Sequence, residues 1–123
     1  MAVRRPNPDA ITHVAGLLAD GADVSKDDMA EAARAVTAEL GTSHPGHTIE
    51  VRVPPFAAVQ VGSLAGDGPS HHRGTPPNVV ELAPPTAVRL AAGSLNWDDA
   101  VAAGLVRYSG AHATDVAAML PLL

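Results

Sequence analysis

Residues 48–61 read TIEVRVPPFAAVQV. Ile49, Val51 and Val53 alternate with Glu50 and Arg52. A period of two predicts a strand with one apolar and one wet face. Pro54-Pro55 ends it, because proline has no N–H to give to a ladder. Phe56 to Val61 reads as the returning strand. A half-wet hairpin excludes an all-helical chain, and its apolar face must be covered by something else in the sequence.

Upstream, the period becomes helical. Residues 1–7 are polar and read as a flexible end. Asn7-Pro8 is a helix start, with Asn as cap and Pro at the first helical position. Ile11, Val14, Ala15 and Leu18 then share one face, and Gly21 ends the segment. A second helix starts at Ser25, with Asp28 where a capping box usually carries Glu or Gln. Met29, Ala32, Ala33, Val36 and Leu40 recur at helical spacing, and Gly41 reads as the C-cap.

Downstream, residues 62–77 read as a long loop, punctuated by Gly66, Gly68, Pro69, Gly74, Pro76 and Pro77. Val79 to Leu82 reads as a short third strand. After Pro84-Pro85 the helical period returns, with Ala87, Val88 and Ala91 on one face, Leu90 beside them, and Gly93 as the stop. Asn96 caps a short helix from Trp97 to Ala103, whose first turn carries Asp98 and Asp99. Acids there suit the positive end of the helix dipole. Gly104 ends that helix, and Leu105 to Ser109 alternates as a fourth strand. Val116, Met119 and Leu120 mark a last short helix that stops at Pro121. This order predicts an α+β fold, with helices packed on a largely antiparallel sheet. The sheet is mixed if a strand inserts parallel to an earlier one. The chain reads as one domain over residues 1–123, with helices in 8–41 and the sheet and its covering helices in 48–123.

Composition narrows the function classes. Hydrophobic residues are 46% and charged residues 17% of the 123, which excludes disorder as the main state. There is one Phe, one Tyr and one Trp, so the core must be aliphatic. That suits either a small tight core or a fold that keeps a void for a ligand. The net charge is −5, with no Lys/Arg run beyond Arg4-Arg5, so no nucleic-acid partner is expected. The absence of cysteine excludes disulfides, thiolate metal sites and thiol nucleophiles. No segment reads as a signal peptide or as an integral membrane span, so a cytoplasmic protein is expected, as a monomer or weak homodimer.

Six histidines invite a metal reading. His44 and His47 straddle Pro45-Gly46, and the adjacent His71 and His72 point apart in an extended segment. Without thiolates a zinc site would need three ligands from separate loops, so no metal is expected. No Gly-x-Ser-x-Gly elbow and no phosphate-binding glycine loop occurs. The most informative polar stretch runs from His71 to Glu81. Arg73 has a planar fork suited to a carboxylate, either Glu81 or an anionic ligand. Thr75 and Asn78 can bond local backbone on the stiff approach to the third strand. The stretch is either a polar gate over a pocket or a rigid loop tied by an Arg73–Glu81 pair; the second is favoured. Trp97 serves either as a core plug or, less often, as a pocket wall.

These residues resemble the bacterial sterol carrier family, the actinobacterial orthologues of the sterol carrier protein domain. The resemblance rests on His44-Pro45-Gly46, on Glu50 through Phe56, on Ala58-Val59-Gln60, and above all on the Arg-Gly-Thr-Pro-Pro-Asn-Val-Val-Glu block of residues 73–81. Leu90-Ala91, Gly93, Trp97, Asp99-Ala100-Val101, Gly104, Ser109-Gly110, Asp115 and Leu120-Pro121 support it. It implies a sterol-carrier-like sheet of about five strands covered by helices on one face. It also implies an apolar ligand in the space between them, and no catalytic residues. The chain departs from the family at Ala87-Val88, where bulkier residues are expected, and in a long loop from Ser63 to His72.

The leading expectation is a non-enzymatic carrier of an apolar small molecule or lipid, without a cofactor. Leu82, Val88, Leu95, Trp97, Val101, Val116 and Met119 are expected to line one shared apolar space. The alternative is a small interaction module with a solid core. A third, weaker reading is an enzyme using the Arg73 loop, with His71 or Glu81 as general base.

Overall fold

The computed structural model describes residues 7–64 and 76–123. Helix α1 (Asp9–Ala19) begins where Asn7 Oδ1 accepts the Asp9 N–H at 2.9 Å. Helix α2 (Lys26–Ser43) is capped by Ser25, whose hydroxyl accepts the Asp28 N–H at 3.1 Å. It does not stop at Gly41 as expected but runs on to Ser43. The glycine serves packing: a Cβ built there would lie 2.8 Å from Val59 Cγ2, so its bare backbone lets the helix lie against a strand.

Strand β1 (Ile49–Val53) and strand β2 (Ala57–Val61) form the expected hairpin, closed by Phe56 N–H donating to Val53 O at 3.0 Å. Strand β3 (Asn78–Leu82) returns parallel to β1. The antiparallel β2 has already brought the chain back to the end of the sheet where β1 starts, so β3 can begin beside Ile49 and run parallel to it. Helix α3 (Pro84–Ala92) comes next, and Gly93 ends it in the left-handed region. Helix α4 (Trp97–Ala102) is capped by Asn96, which accepts the Asp99 N–H at 2.8 Å. Strand β4 (Val106–Ser109) then pairs antiparallel with β3. A 3-10 helix over Ala113–Met119 completes the order.

The class is α+β with a mixed sheet in the order β2-β1-β3-β4. Among the described residues the sheet has four strands, against about five expected. After β4 the chain turns away at Gly110, and its last residues attach to a helix instead: Leu122 N–H donates to Ala91 O at 2.8 Å.

One face of the sheet is covered. Ile49, Val51, Val53, Val61 and Val80 meet Ile11 and Val14 of α1, Ala33, Val36 and Leu40 of α2, and Val88 and Leu90 of α3 in a single core cluster. Every one of these side chains is aliphatic. Each Val, Leu or Ile so buried contributes about 1.5–3 kcal/mol of transfer free energy. The register places Glu50, Arg52, Gln60, Glu81, Arg107 and Ser109 on the opposite face.

Candidate functional site

Between sheet and helices lies a seam walled by apolar side chains alone. Val36 and Leu40 come from α2, Val51 and Val53 from β1, and Leu82 from β3. Ala87 and Leu90 belong to α3, Trp97 to α4, and Val116 and Leu120 to the C-terminal segment. Alternation along β1 and helical spacing along α2 and α3 bring these residues inward. The free volume is about 10 Å³, room for roughly one water-sized sphere.

An open cleft of about 570 Å³ adjoins this seam. Its floor is Leu90, Leu95, Trp97, Ala117 and Leu120, all buried or half-buried, and its exposed rim carries Asn96, Asp98 and Asp99. Leu90, Trp97 and Leu120 line both spaces and form the partition between them. The Trp97 ring also meets Tyr108 of β4, with ring centroids 6.1 Å apart and a tilt of 45°. Asn96, whose side chain accepts the Asp99 N–H, immediately precedes Trp97 at the start of α4.

The expected lining residues are distributed over these spaces. Leu82, Trp97 and Val116 line the seam, and Leu95 and Trp97 line the cleft. Val88 and Met119 are buried in the same core but line neither space, and Val101 packs half-buried at its margin. Sequence reading missed the opposing wall of Val36, Leu40, Val51 and Val53. Its periodicity was visible, but not which faces meet. Asn96, Asp98 and Asp99 were legible only as helix-start residues, and the same positions form the rim.

In the polar stretch, His71, Arg73 and Thr75 lie outside the described residues, and so does the expected Arg73–Glu81 pair. Asn78 is structural: it is 3% exposed, its Nδ2 donates to Thr48 O at 3.0 Å, and its Oδ1 accepts the His112 N–H at 2.9 Å. Glu81 sits on the outer face, turned away from the seam, with Arg52 and Arg107 beside it in register. Arg52 pairs with Glu50 on its own strand.

Among the described residues no group of three His, Asp or Glu side chains gathers as a metal site. His47 Nδ1 instead meets Gln60 Oε1 at 2.9 Å across the hairpin. No described helix is long and apolar enough to cross a membrane.

No curated protein matches the chain. A protein family does: residues 25–122 fit the family described as "Bacterial SCP ortholog". The matched span runs from the cap of α2 through the sheet to the last turn of the chain, so it contains the seam, the cleft and the partition between them. With most of its length matched, this chain belongs to the family of bacterial orthologues of the sterol carrier protein.

Proposed function

We propose that this protein is a non-enzymatic binder or carrier of an apolar ligand, a fatty acyl, sterol-like or other lipid, held between sheet and helices. The supporting observation is the wholly apolar seam lying behind an open cleft, with Leu90, Trp97 and Leu120 as a shared partition. A ligand enters by displacing those side chains, since the seam at rest is nearly filled. Family membership points the same way.

The small free volume of the seam favours a second reading, an interaction module with a solid core. Native mass spectrometry of the purified protein separates the two. A carrier retains co-purifying lipid, and its single tryptophan responds saturably to titrated long-chain lipid. A bare mass, with no fluorescence or calorimetric response to any long-chain lipid, makes the module reading the correct one.

A further inference from the structure

We infer that the seam takes one unbranched alkyl chain and excludes branched chains and fused-ring sterols. The inference rests on the carrier reading and narrows its ligand. One wall of the seam is fixed. Val51 and Val53 stand on β1, which is hydrogen-bonded to β2 on one side and to β3 on the other. Val36 and Leu40 stand on α2, which the fully buried Ala32, Ala33 and Ala35 seat among its neighbours. Gly41 brings the same helix so close to β2 that a Cβ would lie 2.8 Å from Val59 Cγ2. Elements packed at this range do not spread.

The opposite wall is held less firmly. Trp97 starts a helix of only six residues. Leu120 lies in a segment whose described backbone tie to α3 is the single bond from Leu122 N–H to Ala91 O. Space is therefore gained on this side, as Leu90, Trp97 and Leu120 rotate towards the open cleft, and the slot is one side chain deep. A linear chain fills such a slot with successive methylenes. A branch or a ring system needs the fixed wall to retreat as well, and overpacking of that kind weakens binding about tenfold or more. The Trp97 indole nitrogen is the one polar side-chain atom in the seam's wall, so a polar head stays in the cleft.

Dodecanol and its branched isomer butyloctanol share formula, head and nearly the same hydrophobicity, and differ in width. Each is titrated below its solubility limit, with Trp97 emission and calorimetry as readouts, and cholesterol delivered from cyclodextrin serves as the fused-ring probe. Dodecanol is expected to bind at least about tenfold tighter than butyloctanol, and cholesterol to give no saturable response. Leu90→Ala should bring butyloctanol to within about threefold of dodecanol, because it widens the slot. Leu120→Ala, at a half-buried site, should do the same at a smaller cost in stability, circular dichroism confirming that each variant folds. Butyloctanol or cholesterol binding as tightly as dodecanol to the unmodified protein overturns the width selection and leaves the carrier reading standing. An unchanged preference in both variants overturns the assignment of that width to the partition. If none of the three probes binds, the carrier reading fails and the inference falls with it.

Discussion

Asn78 and Gly110 show how much one side chain ties together. Asn78 joins β3 to the residue before β1 and to the start of the 3-10 helix. Gly110 permits this, with φ at 101°, where side chains are disfavoured. A Cβ there would run into Asn78 Oδ1 and lie 2.7 Å from Pro77 O. Asn78→Ala removes two hydrogen bonds and should cost about 2 kcal/mol. Gly110→Ala should cost a similar amount, from backbone strain and the displaced Asn78. Because the two share one contact, the double variant should lose less than the two single losses together. Urea unfolding at constant slope reads all three values, and strict additivity would show that the contact does not couple them.

At the scale of elements, α2 and α4 are capped in the same way, but their caps hold different first turns. Ser25 precedes the exposed first turn of α2, whereas Asn96 precedes Trp97 at the partition. Removing either cap should cost about 1 kcal/mol. Only Asn96→Ala should also shift the native tryptophan emission, because loosening the first turn of α4 moves the indole against Tyr108. An emission change of equal size in Ser25→Ala would mean that the indole's position is set elsewhere. Strand β4 is the shortest strand, and its residues beyond Val106 are exposed. The Trp97 side of the cleft therefore rests on the least buried edge of the sheet, a fitting place for an opening motion.

Over the whole molecule, the core is aliphatic, and Trp97 alone among the residues that line the seam carries a ring. Phe56 and Trp97 are only half-buried and Tyr108 is 46% exposed, so no aromatic ring is fully buried. Leu90 is 2% exposed and belongs to both seam and cleft. Leu90→Ala should cost about 3 kcal/mol, the usual range for a buried leucine. It should also join the two spaces, so that dodecanol restores part of the lost melting temperature, as binding to the native state must. A full loss of stability with no recovery at any dodecanol concentration would mean that the core collapses into the gap and the seam is not accessible.

Much of this architecture was legible along the chain. The alternation of Ile49, Val51 and Val53, the caps Ser25 and Asn96, and the stop at Gly93 act over a few residues. Local rules of period, capping and backbone freedom therefore located the helices and strands, the α+β class and the aliphatic character of the core. The Arg-Gly-Thr-Pro-Pro-Asn block carried the family resemblance that the match over residues 25–122 supports. Contacts between distant segments obeyed no such rule. Gly41 looks like a helix stop until β2 is laid against it, and Asn78 looks like a loop residue until β1 and residue 112 close around it. Periodicity states that a face is apolar, but only the packing of α2, β1, α3 and the C-terminal segment decides which apolar faces share a seam and which residues stand between it and water.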